Sequence, residues 1–407
     1  MMNFLKKMQK NFIISTKNMT QKTIYSVLFL FITIFGFGQI KPLDVAAYIN
    51  MPKDTMIANN IKKSLDGFLS QKENPNKENI YVLKEDLLDT SILLDEIKEI
   101  EKGNKDDNFY KGYLANIVQL DNTNFLIQFS YIGVNNTLPV LAASFELLAK
   151  QKNDKFYFSS PLKRNTISWK TKKIENCTFH FKNSLNEAIA YNYVRTVAFF
   201  DKKLNASTGL IEWYGCSDLP DVLKNIGVNY KLDYNGRSTG TFNTSENSIT
   251  LLVSGTGNEN FSSFDPHDLW HERARNVISR NTINKPVDEG CAYLYGGSWG
   301  LSWKQILQTF KEKVALNPNN NWLTSYNDFY NFGESSEKHL LVPYVINALI
   351  VQKIEKEQGF SAVLELLSCG KYEKNNDNYF RILDKLLGIN KSNYNDRVWA
   401  LIKESKV

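Results

Sequence analysis

Residues 264–280 read FDPHDLWHERARNVISR, and residues 283–297 continue as INKPVDEGCAYLYGG. Asp265 fits a helix N-cap and Pro266 the first turn, while Arg273, Arg275 and Arg280 suit the far end of the helix dipole. The first stretch therefore predicts a helix. On a helical wheel His267, His271, Ala274 and Ile278 share one line flanked by Trp270 and Val277, and Asp268, Glu272, Arg275 and Asn276 fall away from it. Both imidazoles sit on the stripe that a core would cover.

Two imidazoles on an apolar face leave ring nitrogens needing partners, and one shared cation satisfies a nitrogen on each. The i, i+4 spacing aims both at one point, as Zn²⁺ requires of its first two ligands. Alone, the pair also fits two separately hydrogen-bonded histidines. A catalytic zinc site takes three protein ligands and an open fourth position, and Glu289, on the second helix expected after Pro286, is the natural third.

These residues resemble the gluzincin metallopeptidases, specifically the aminopeptidase N-like group, in which H-E-x-x-H is followed about eighteen residues on by E-G-x-A. His267, His271, Glu289, Gly290 and Ala292 carry the match, with the second gap one residue shorter. Val342-Pro343-Tyr344 opens a long helix downstream. The resemblance implies that Tyr344 donates a hydrogen bond to the oxyanion of the tetrahedral intermediate, with His339 a weaker candidate for that role. It also implies a cofactor, Zn²⁺, and a peptide or protein substrate.

Two departures accompany the match. The position of the general base holds Asp268 in place of glutamate, one methylene shorter, which sets the carboxylate about 1 Å or more further from the water it must deprotonate. Glu272 lies one turn further along the same side, too far to replace it. No G-x-M-x-N stretch accompanies the strand NSITLLVSG, so no preference for a free amino terminus is expected. The expected activity is metal-assisted peptide hydrolysis, with Asp268 passing the water's proton to the leaving amine and NSITLLVSG pairing, as an edge strand, with extended substrate. The rival is a catalytically inactive, zinc-stabilised binding protein in which Asp268 marks lost chemistry.

The fold class expected from the rest of the chain is α+β. Residues 53–71 and 83–102 carry helical patterns, the second ending at Gly103. GYLANIVQL, NFLIQFSYIG, LPVLAASFELLAK and KFYFSSP then read as an antiparallel meander broken at Asp121-Asn122, Asn135-Asn136 and Asn153-Asp154. Helices followed by such a meander resemble NTF2-like or cystatin-like folds, and residues 39–165 are assigned to this accessory domain. Residues 166–407 read as the gluzincin-type domain, a mixed sheet followed mainly by helices.

At 407 residues with 43% apolar composition the chain can bury a sizeable core. Its formal charge of +6 is concentrated in Lys6, Lys7, Lys10, Lys17 and Lys22, which leaves the rest near neutral and gives no nucleic-acid footprint. Residues 25–37 (YSVLFLFITIFGF) form an apolar run too short for a membrane span, ending in Gly36-Phe37-Gly38. A signal peptide over 1–38 is expected, cut before Gln39, with Met19 an alternative start. The protein is then periplasmic or extracellular, with no membrane span after cleavage. No lipid-acceptor cysteine follows the run. Cys177, Cys216, Cys291 and Cys369 allow three disulfide pairings or remain buried thiols. Two further motifs carry bland readings: GGSWG at 296–300 is a turn between helices, and His180 a satisfied strand histidine.

Overall fold

The computed structural model describes residues 43–45, 48–103, 107–333, 339–373 and 375–406. The leader expected at 1–38, with its apolar run and a cut before Gln39, lies outside them. Within the described residues no helix is long and apolar enough to cross a membrane. The architecture is α+β, and the chain divides into two compact units. The first takes the described residues of Met1–Tyr81 together with Ile97–Phe158, and the second Val82–Glu96 together with Ser159–Val407.

In the first unit, helix α1 (Thr55–Ser70) starts where the Asp54 carboxylate accepts the amides of Met56 and Ile57 at 2.8 and 3.2 Å. Its buried stripe is Ile61, Leu65, Phe68 and Leu69. Strands β1 (Asp44–Val45), β2 (Lys111–Gln119), β3 (Asn124–Asn135), β4 (Leu138–Lys152) and β5 (Lys155–Ser159) lie in that order in one sheet. The expected meander is present, with β2–β3 and β3–β4 antiparallel. Strict alternation buries Phe125, Ile127, Phe129 and Tyr131 on one face of β3. Asn136 and Asn153 take positive φ at the two tight turns, the backbone region that asparagine tolerates.

The second expected helix is shorter than its sequence pattern. It runs as α2 (Leu87–Ile97), and Glu99 turns into the left-handed region at φ 57°, which a continuing helix does not accept. Most of α2 belongs with the second unit. Its Asp89 pairs with Lys163 at 2.9 Å, and Glu96 receives Lys231 at 2.7 Å and the Tyr234 hydroxyl at 2.9 Å.

The second unit continues through α3 (Leu162–Asn165), β6 (Lys170–Ile174), β7 (Cys177–Phe181), α4 (Glu187–Leu204), β8 (Leu210–Gly215), α5 (Leu219–Ile226), β9 (Val228–Lys231), β10 (Gly240–Glu246) and β11 (Ile249–Gly255). Its mixed sheet has the order β10-β11-β8-β7-β6. The β11–β8 and β8–β7 pairs are parallel, and the outer pairs antiparallel. This corrects the expectation for NSITLLVSG: β11 is hydrogen-bonded on both sides, and the edge is β10. The misreading has a physical cause, since β10 is GTFNTSE, a polar strand without the apolar run that marks buried strands.

The helical part comprises α6 (Pro266–Val277), α7 (Lys285–Gly296), α8 (Trp303–Lys313), α9 (Trp322–Asn327), α10 (Val342–Gln358), α11 (Phe360–Leu367), α12 (Asp377–Leu387) and α13 (Tyr394–Glu404). Ser302 and Gln305 close a reciprocal capping box at the start of α8. Helix α10 is buried on nearly every side, from Val342 through Val351, as an almost uncharged segment must be. One apolar core joins Phe179 and Trp213 of the sheet to Trp270, Tyr293 and Val345 of the helices. All four cysteines are free thiols.

Candidate metal centre

Helix α6 begins as its sequence specifies. The Asp265 carboxylate accepts the His267 amide at 2.8 Å, with Pro266 in the first turn. Helix α7 follows after Asn284, and two glycines let it approach its neighbours. A Cβ on Gly296 would lie 2.5 Å from the His267 nitrogen, and one on Gly290 would lie 2.6 Å from Asn347 Cβ and 2.8 Å from the Ala348 nitrogen. Gly290 is thus where α7 touches α10. The adjacent Glu289 is thereby held over the two histidines.

The three expected ligands converge. His267 Nε2 and His271 Nε2 are 3.2 Å apart, and Glu289 Oε2 lies 3.5 Å from the first and 3.7 Å from the second. A tetrahedral ion bonded at about 2.0–2.1 Å to each donor requires donor separations of about 3.3–3.4 Å. The observed triangle has that size.

The other ring nitrogens are fixed by acceptor-only groups. His267 Nδ1 donates to the Gly297 carbonyl at 2.7 Å, and His271 Nδ1 to Asp288 Oδ2 at 2.8 Å. Each Nδ1 therefore carries a proton, so that in its neutral form each ring turns the Nε2 lone pair toward the other ring and Glu289. Two lone pairs at 3.2 Å repel unless a proton or a metal ion lies between them. Asp288, only 5% exposed, also accepts Trp270 Nε1 at 3.0 Å through its other oxygen.

Titration follows the same logic. Burial pulls His271 down, but hydrogen bonds to Asp288 and Glu289 outweigh it and lift its pKa to about 9. His267 is also raised, with Glu289 and Gly297 overcoming burial. Burial pushes Glu289 up, but the two histidines hold it down to about 2. Without a metal the cluster thus favours protons on its imidazoles, and a metal ion held there takes their place.

Tyr344 lies in the first turn of α10, 7% exposed, with its ring 5.5 Å from that of Tyr293, which is in turn 5.9 Å from the His267 ring. Its hydroxyl pKa is raised by burial first and by the nearby Glu289 second. No group among the described residues hydrogen-bonds that hydroxyl. Asp268 is exposed, and its carboxylate likewise has no partner among the described residues. It lines a cavity of about 740 Å³, as does Glu272, whose pKa burial raises. His339 lies in the loop before α10 and offers its carbonyl to Tyr293 and Trp299 at 3.1 and 3.2 Å. His180 is paired with Glu212 at 2.7 Å and stacked on Tyr214, away from the cluster.

Sequence reasoning overlooked Asp288, Gly297 and Tyr293. For Asp288 a signal existed: a second acid directly before Glu289, at a helix start where acids are otherwise explained by the dipole. No protein-family model, curated protein or solved structure matches this chain. The likeness to gluzincins therefore stands on the residues themselves.

Proposed function

We propose that this chain is an exported, zinc-dependent peptidase of gluzincin type, with His267, His271 and Glu289 as metal ligands and the periplasm or medium as its destination. One observation carries the reading: three donors at 3.2, 3.5 and 3.7 Å, with the Nδ1 of each imidazole hydrogen-bonded to Gly297 or Asp288 and its Nε2 left to the cluster. Bound there, zinc polarises a peptide carbonyl and lowers the pKa of a water molecule toward roughly 7.

The chain's own residues supply the rest. Asp288 and Gly297 hold the imidazoles in orientation, so no reorganisation is needed when a substrate arrives. Asp268, an unpartnered carboxylate beside His267, takes the proton of the attacking water and delivers it to the leaving amine. The Tyr344 hydroxyl, uncommitted and held at the start of α10, donates to the developing oxyanion.

The test compares zinc-loaded wild type with Asp268→Asn on a generic peptide library. Hydrolysis should fall by roughly 10²-fold or more in the variant, the loss expected for a missing general base. Equal inertness of the two, with zinc bound in both, would refute the peptidase reading. That result would favour a zinc-stabilised binding protein, consistent with a carboxylate one methylene short.

A further inference from the structure

The flank of α6 that carries Asp268 and Glu272 opens onto the 740 Å³ cavity, a volume inside the roughly 300–1,000 Å³ span of small-ligand sites. Its apolar walls are Tyr193, Trp213, Phe261 and Phe264. These rings brace one another, with Phe261 edge-on to Trp213 at 4.8 Å and to Tyr193 at 5.2 Å. The pocket is thus preformed, not a gap between mobile side chains.

Its charge is one-sided. Asp265, Asp268 and Glu272 line it, and no lysine, arginine or histidine is among the residues that do. Asp265 is committed to capping α6. Glu272 has one cation nearby, Arg273 Nη1 at 4.0 Å, but that guanidinium gives its Nε and Nη2 to the buried Asp201 at 2.7 and 2.9 Å. Two carboxylates on an aromatic-walled cavity are therefore left with little or no countercharge.

We propose that this cavity receives the basic side chain, lysine or arginine, of a peptide substrate, with Glu272 as the residue that selects it. The proposal rests on the peptidase reading above. Aromatic faces accept the aliphatic stem of either side chain and attract its cation, and the carboxylate completes an ion pair. An acidic side chain meets like charge there, and a neutral isostere leaves the carboxylate unpaired. The placement suits a specificity pocket, since Asp268 adjoins His267 in sequence, and Gly296 and Ser298 on the cavity wall flank Gly297, which holds the His267 ring. His267, His271 and Glu289 do not line the cavity themselves; it adjoins them through Asp268, Gly296 and Ser298.

The experiment uses the zinc-loaded full chain and peptides identical except at one position, which holds lysine, arginine, norleucine, glutamine or glutamate. Cleavage is read by mass spectrometry and binding by fluorescence anisotropy. Lysine and arginine peptides should be favoured over norleucine by at least about tenfold, the scale of one charge-assisted contact, with glutamate the poorest. Glu272→Gln should bring that ratio near one, and Glu272→Lys should favour glutamate. Cleavage without preference for base over norleucine overturns this inference and leaves the peptidase reading standing, whereas unselective binding without cleavage overturns both. Zinc-loaded protein that neither binds nor cleaves any peptide overturns both. The wild-type ratio decides the matter even if a variant fails to fold.

Discussion

Replacing Asp288 by asparagine removes one oxygen from a carboxylate that has two buried N–H groups to satisfy, Trp270 Nε1 at 3.0 Å and His271 Nδ1 at 2.8 Å. Asparagine has one acceptor, so its amide NH₂ must face one of these donors. Turned toward Trp270, it leaves a buried indole N–H unsatisfied at a cost of about 1–3 kcal/mol. Turned toward His271, it drives the imidazole proton from Nδ1 to Nε2, the nitrogen the metal needs. Losing a carboxylate that orients a ligating histidine typically weakens metal binding about 10–100-fold, or about 1.4–2.8 kcal/mol. Chelator competition reads the zinc affinity, and calorimetry in excess chelator reads the stability, where roughly 2–4 °C accompanies each kcal/mol in a unit of this size. One or both must fall. An Asp288→Asn protein with wild-type zinc affinity and wild-type Tm would refute the claim that this carboxylate orients His271.

Two further outcomes follow from buried charge. Asp201→Ala strands Arg273 in the core without its bidentate partner, and denaturant unfolding should show a loss of about 3–5 kcal/mol. Asp221 is pushed up by burial, but the Lys182 ammonium at 2.6 Å and the Ser217 amide at 2.9 Å outweigh this and leave its pKa below the usual 3.8. Its stabilising contribution is complete above the unfolded pKa and disappears as pH falls through the lower folded value. The stability gap between wild type and Asp221→Asn should therefore be constant from pH 7 to about 5 and close in acid; a gap that persists below both pKa values would contradict this.

The clustering of His267, His271 and Glu289 was legible because it depends on short-range rules. Asp265 and Pro266 define where α6 starts, which fixes the direction of His267 and His271, and a helix after Pro286 supplies Glu289. The α+β class was legible from strands whose alternation is as regular as that of β3. What escaped depends on distant partners. Arg273 reads as a solvated helix-end charge but is buried against Asp201, a residue 72 positions away. Val277 reads as a flank of the covered stripe but is 43% exposed, while Ala274 and Ile278 on the stripe itself are buried in the core. The membership of 82–96 in the second unit depends on Lys163, Lys231 and Tyr234, which no local pattern connects to α2. Polar β10 hid the sheet edge for the same reason, since its partner β11 carries the apolar signal for both.

The central claim is that His267, His271 and Glu289 hold one metal ion, and metal analysis of the purified chain tests it most directly. Wild type should take up about one zinc per chain, on the three-ligand logic of such sites. His271→Ala and Glu289→Ala, each shown to be folded by circular dichroism, should lose stoichiometric zinc. Wild type that takes up no zinc, or both variants retaining it at full occupancy, would contradict the account.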